Sequence, residues 1–226
     1  MEVFMKKVIT IIVSVLMIMT LAVSFAACNK DTGNDGNTGN GGNNGGNTDV
    51  TTGDLDKIVS EAELKNIVGT GKLYATTIGQ ADIATVNNLI VKAGVAAEDY
   101  TGKNNMLTAD QVEDGSTVFI VVGASGKGLG GAGTDAAAEL VRANAFKAKA
   151  DKINIVCVHI GGKNRRGDTS DPTIRVIAGC SKVILVVAEG NSDGLFTGIA
   201  NDNSIPLYEY SKSAKMLDSF KYLLGK

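Results

Sequence analysis

Tryptophan is absent from this 226-residue chain, histidine occurs once, and cysteine three times. Aromatic residues make up only 5% of it, too few to expect an aromatic platform for sugars or bases. Neither sign of charge dominates: 22 Lys and Arg stand against 24 Asp and Glu. Without Met1 to Ala27, which carry Lys6, Lys7 and Glu2, the balance is 20 basic against 23 acidic residues. No global basic field is available, so nucleic acid is not an expected partner. No C-x-x-C pair occurs, which argues against a cysteine zinc site or a thioredoxin-like redox pair.

What the chain does have begins at its N-terminus. Lys6 and Lys7 precede the apolar run "VITIIVSVLMIMTLAVSFAA", which ends in small residues just before Cys28. This is the layout of a secretory signal. The stretch "FAAC" resembles a bacterial lipobox, with Phe25 in a place more often held by Leu. Residues 1–27 are therefore expected to be a lipoprotein signal peptide and Cys28 the lipidated first mature residue. The competing reading is an uncleaved membrane anchor, since the run is long enough to span. Both put the rest of the chain outside the cytoplasmic membrane, with the bacterial membrane as a partner. In that compartment Cys157 and Cys180 are able to pair, or else serve as buried thiols acting as small hydrophobes.

Residues 28–53 are almost wholly Gly, Asn, Thr and Asp. They cannot bury apolar surface and are expected to be a flexible linker. A single domain is expected over residues 54–226. Ser60 and Glu63 stand at capping-box spacing in a short first helix. Strand and helix signals then alternate. "KLYATTIG", "STVFIVVG", "KINIVCVHIGG", "KVILVVAEG" and "IPLYEY" read as strands, and "EDYTG" as a short edge strand. The middle strands lack polar alternation, as expected when both faces are covered. "ADIATVNNLIVKAG" places Ile83, Val86, Ile90 and Ala93 on one helical face with Gly94 as a stop. Helices are also expected from Thr134 to Ala150, over "DPTIRVIAGC" with Pro172 in its first turn, over "DGLFTGIANDN" and over "SAKMLDSFKYLLGK". "TADQVED" reads as a helical turn. Such alternation implies an α/β fold: a three-layer, doubly wound, mostly parallel sheet of five to six strands, flavodoxin-like or Rossmann-like. The expected strand order is 2-1-3-4-5 with one strand added.

In open parallel sheets, ligands bind beyond the carboxyl ends of the strands. The loops expected there are "TTIGQAD", "GASGKGLGGAGTD", "HIGGKNRRGDTSDP" and "AEGNSDG", all rich in glycine and polar residues. The opposite connections look like ordinary turns. Gly128, Gly130 and Gly133 fit G-x-G-x-x-G between a strand and a helix. Against a dinucleotide site, the next strand ends in "VHIGG" with no acid for a ribose, the loop is long, and Asp135 would oppose a phosphate. "GASGKG" lacks Walker A spacing. No cofactor is expected.

A plainer reading is a backbone nest for a smaller anion around Ser125, Gly128 and Gly130, with charge from Lys127, Arg165 and Arg166. The chain has four arginines, and two are adjacent here. The alternative is a solvated loop in which the arginines meet Asp168 and Asp171. Thr77, Gln80, His159 and Glu189 sit where they can orient a ligand. His159 is either a general base or a hydrogen-bonded structural histidine. Ser125 lacks the G-x-S-x-G elbow of a serine hydrolase. Asp135, Asp168, Asp171, Glu189 and Asp193 show no EF-hand spacing, and no metal is expected.

The run "VVGASGKGLGGAGTD…HIGGKNRRGDTSD…VVAEGNSDGLFTGIA" resembles an uncharacterised family of bacterial exported proteins, a domain of unknown function, over most of Lys72 to Lys226. The resemblance implies an α/β domain and brings no activity or catalytic residue. The leading expectation is a lipid-anchored extracytoplasmic protein that binds a small anionic ligand, in a receptor or accessory role in uptake or sensing beside a transporter or sensor in the membrane. The alternatives are an exported hydrolase or transferase with His159 as base, and a non-catalytic structural surface module.

Overall fold

A computed structural model describes residues 54–64, 67–102 and 105–226. The expected signal peptide, Cys28 and the Gly/Asn-rich linker lie outside the described residues. Six parallel strands form one sheet: β1 (Leu73–Ile78), β2 (Tyr100–Thr101), β3 (Thr117–Val122), β4 (Asn154–His159), β5 (Val183–Val187) and β6 (Leu207–Tyr210). Their order is β2-β1-β3-β4-β5-β6, the doubly wound order expected with β6 as the added strand. The order reverses between β1 and β3, which opens a switch point at their carboxyl ends. The weak "EDYTG" signal is the two-residue edge strand β2.

Seven α-helices occur among the described residues: α1 (Glu61–Leu64), α2 (Ile83–Lys92), α3 (Gly126–Gly131), α4 (Ala136–Ala148), α5 (Asp171–Ala178), α6 (Leu195–Asn203) and α7 (Leu217–Leu223). None is long and apolar enough to cross a membrane. Every residue of β3 and β5 is buried, because helices cover both faces of the sheet. Val118, Ile120 and Val122 meet Phe146 of α4, Ile174 and Ile177 of α5 and Phe196 of α6 on one face. Phe119 and Val121 meet Val86 and Ile90 of α2 and Phe220 of α7 on the other. The period-two alternation of strand side chains splits the core this way, and each fully buried side chain contributes about 1.5–3 kcal/mol.

The stretch expected as one glycine loop is partly helical. Ser125 caps α3 by accepting from the Gly128 amide at 3.2 Å, and Asp135 caps α4 by accepting from the Ala138 amide at 2.8 Å. Asp135 is thus the cap of α4, and its carboxylate occupies that helix N-terminus. Cys157 is buried, Cys180 partly so, and both are free thiols. Burial pushes the Cys157 thiol up strongly and the Cys180 thiol up to about 11, so neither is a reactive thiolate at neutral pH.

Candidate functional site at the strand carboxyl ends

The four loops beyond the strands are stitched to each other. Gln80 and Ala124 form an isolated bridge, and the Ser125 amide donates to Gly79 O at 3.0 Å. The Ala124 amide donates to Arg165 O at 3.3 Å. The rim is therefore a continuous surface built from the ends of β1, β3, β4 and β5.

Most amides of the glycine stretch have internal acceptors. Those of Gly123, Leu129, Ala132, Gly133 and Thr134 bond to Ile78, Ser125, Gly128, Gly130 and Leu129 carbonyls. A nest needs amides free to point at an anion, and these are committed. Gly128 packs directly against the Gln80 carbonyl, while Gly130 has nothing near it. Lys127 is exposed.

Several residues expected to orient a ligand spend their polar atoms inside the protein. Thr77 is fully buried, with Oγ1 2.9 Å from Ala81 O and 3.1 Å from Val121 O. Gln80 Nε2 donates to Asn105 O at 3.3 Å and Glu139 Oε1 at 3.1 Å, and contacts Met106 Sδ. Its partner Glu139 belongs to a buried ion pair, Glu139 Oε2 to Arg142 at 2.6 Å. The same oxygen accepts from the Gly79 amide at 2.7 Å, and Arg142 also bonds to the Thr77, Asn105 and Leu107 carbonyls. The pair fixes the β1 loop onto α4. Sequence reasoning missed it because an i, i+3 Glu–Arg spacing in an alanine-rich helix reads as a surface pair.

His159 has no exposed surface. Nδ1 lies 2.9 Å from Val122 O and Nε2 3.2 Å from Gly162 O, with the Phe196 ring centroid at 5.2 Å. Burial holds its pKa below the usual histidine value, against the pull of the two carbonyls. A general base must reach the proton it takes; His159 faces backbone, with no acidic partner bonded to its ring. Both ring nitrogens stand against backbone carbonyls, the geometry of a hydrogen-bonded structural histidine.

The adjacent arginines have opposite fates. All five N–H donors of Arg166 are used: Nε and one terminal nitrogen grip Asp171 at 2.8 and 3.1 Å, and the terminal nitrogens grip Asp193 at 3.1 and 2.8 Å. The fifth bond goes to Gly190 O, and the guanidinium lies over Phe196 at 5.6 Å. Bonds from Arg166 lower the pKa of Asp193, and lower that of Asp171 despite the opposing effect of burial. Arg166 locks the β4 loop to α5 and the β5 loop.

Arg165 pairs with Asp82, not with Asp168 or Asp171 as the loop sequence suggested. Its Nε donates to Asp82 Oδ2 at 3.1 Å. Its terminal nitrogens have no partner among the described residues, and the side chain is 33% exposed. Asp82 is itself unusual. It precedes α2 in the left-handed region, φ 60°, and makes no side-chain cap bond. Asp commonly caps a helix from extended backbone; here that role is given up and the carboxylate turns to Arg165. Gln80, two residues earlier, is also left-handed, φ 60°. Glu189, at the end of β5, is exposed and forms no hydrogen bond or ion pair among the described residues. Its carboxylate lies beside Gly162.

Lys127, Arg165 and Glu189 are thus the side chains of the expected set that face solvent on the rim. Thr77, Gln80, His159 and Arg166 hold it together. No group of three or more His, Cys, Asp or Glu among the described residues is placed to hold a metal ion.

No curated protein and no solved structure matches the chain. Residues 70–224, which include the whole sheet and all four rim loops, match the family described as a domain of unknown function (DUF6305), and the chain belongs to that family.

Proposed function

We propose that this protein is a lipid-anchored extracytoplasmic binding module that takes a small oxyanion-bearing ligand at Arg165. Its N-terminal signal pattern and Cys28 support export and attachment to the outer face of the cytoplasmic membrane. Attached there, it acts as a receptor or accessory protein beside a membrane transporter or sensor.

The carrying observation is the Asp82–Arg165 arrangement. A non-glycine residue in the left-handed region costs about 1 kcal/mol or more and persists where surrounding structure enforces it, often at functional sites. Asp82 bears that cost and forgoes its cap bond, and the result is an arginine held through Nε with both terminal nitrogens presented. Two parallel N–H donors suit a carboxylate or phosphate edge. Arg166, whose donors are all spent, is a scaffold and not a ligand contact.

The test is isothermal titration of the purified full chain in detergent with acetate, phosphate and larger carboxylates. Binding lost in Arg165→Ala and retained in Lys127→Ala supports the site. Unchanged binding in Arg165→Ala removes it. A second reading, a non-catalytic structural module, is favoured by the internal satisfaction of Thr77, Gln80, His159 and Arg166. It predicts no saturable heat with any of these anions.

A further inference from the structure

We infer that the rim selects a zwitterion: a small molecule of the amino-acid type, whose oxyanion meets Arg165 and whose ammonium meets Glu189. This rests on the reading of Arg165 as the anion contact.

The two groups flank one glycine pair. The stem of Arg165 lies so close over Gly161 that a Cβ there would collide with Arg165 Cγ. A Cβ at Gly162 would stand 2.8 Å from Glu189 Oε2 and 3.1 Å from its Cδ. Gly161 and Gly162 are neighbours in the chain, so the Arg165 stem and the Glu189 carboxylate each pack on one residue of a glycine pair that carries no side chains. Gly162 is buried and left-handed, φ 57°, a backbone state that other residues rarely adopt.

The two do not pair with each other. Arg165 makes its ion pair with Asp82, and Glu189 makes none among the described residues. Arg165 therefore keeps two unspent donor nitrogens and Glu189 two unspent acceptor oxygens. The backbone that follows Glu189 is fixed. The next residue, Gly190, gives its carbonyl to Arg166, and Asn191 is fixed by Glu209 at 2.7 Å and the Phe196 amide at 2.8 Å.

Local charge decides between a plain anion and a zwitterion. Asp82 already pairs Arg165, and Glu189 stands without a partner among the described residues, so a ligand with negative charge alone leaves Glu189 unpaired. An ammonium on the same ligand gives Glu189 a partner. A site built to pair a polar group rejects the analogue that lacks it, because its own group is then left unpaired.

The probes are matched pairs titrated calorimetrically into the full chain in detergent at pH 7: common amino acids against their carboxylates without the amino group, such as alanine with propionate and glutamate with glutarate. The wild type is expected to bind at least one amino acid about tenfold or more tighter than its partner. Glu189→Gln is expected to lose that preference while still binding the carboxylate, and Arg165→Gln to lose both. Equal affinity within every pair, no binding of any amino acid, or a preference unchanged in Glu189→Gln overturns the inference. Carboxylate binding that survives Arg165→Gln overturns instead the reading of Arg165 on which it rests.

Discussion

Arg165 reaches Asp82 through Nε alone, at 3.1 Å, across the gap between the β4 and β1 loops. Replacing Asp82 by Asn keeps an acceptor oxygen but removes the charge. Asp82→Ala removes both and frees the guanidinium. The ion pair is part-exposed, so its loss should cost no more than about 1 kcal/mol in Asp82→Asn, and Asp82→Ala should cost more because alanine tolerates the left-handed backbone at φ 60° less well. Oxyanion affinity should fall about tenfold in Asp82→Ala, because Arg165 is no longer held in one pose. Calorimetry with the wild-type ligand and a urea melt of the same samples separate the two effects.

Gly128 and Gly130 lie in the same short helix and should respond oppositely to alanine. At Gly128 a Cβ would run into the Gln80 carbonyl, whereas at Gly130 nothing lies within 4 Å. Gly128→Ala is expected to destabilise by about 1–3 kcal/mol through overpacking. Gly130→Ala should stabilise by about 0.5–1 kcal/mol through helix propensity. Urea denaturation midpoints decide this. A loss of ligand binding in Gly130→Ala without a loss of stability would instead mark that residue as a ligand contact.

The buried pair of Glu139 and Arg142 carries the β1 loop. Truncating one partner leaves the other charged and desolvated, which typically costs about 3–5 kcal/mol. Arg142→Met should show a loss in that range by chemical denaturation. Arg166→Ala should cost less, about 1–3 kcal/mol, since Asp193 stays 62% exposed and is readily rehydrated.

His159 gives the stability a defined pH slope. Its folded pKa is depressed, with burial as the main cause. The unfolded chain therefore takes up the proton first, at about pH 6.5. Stability is complete above that pH and falls as pH drops from there through the lower folded value. His159→Gln should flatten the fall in melting temperature below about pH 6.5. Asp171 and Asp193, also depressed, lose their contribution only as pH falls below about 4. Melting curves across both windows separate the two contributions, and the chain's single histidine makes the upper one assignable by NMR.

Tertiary structure decided the strand order and the short helix α3, but the sequence by itself determined the α/β class and most of the other strands and helices. These follow from apolar runs such as "TVFIVV", from helical faces such as Val86 with Ile90, and from stop signals such as Gly94, all local in the chain. It also located the rim, because glycine and polar residues gather at one end of the strands. Tertiary structure alone decided which rim residues face outward. Arg165 and Arg166 are adjacent and chemically identical, yet one is fully saturated by Asp171, Asp193 and Gly190 and the other presents two nitrogens. That difference is set by residues 83 positions upstream and 27 downstream. Likewise the glycines of "GASGKGLGGAGTD" looked alike in sequence. Contact with the Gln80 carbonyl fixes Gly128, and positive φ fixes Gly123 and Gly133, while Gly126, Gly130 and Gly131 have room for a side chain. Distance along the chain carries no record of such partners, since loop closure brings together groups that local pattern cannot relate.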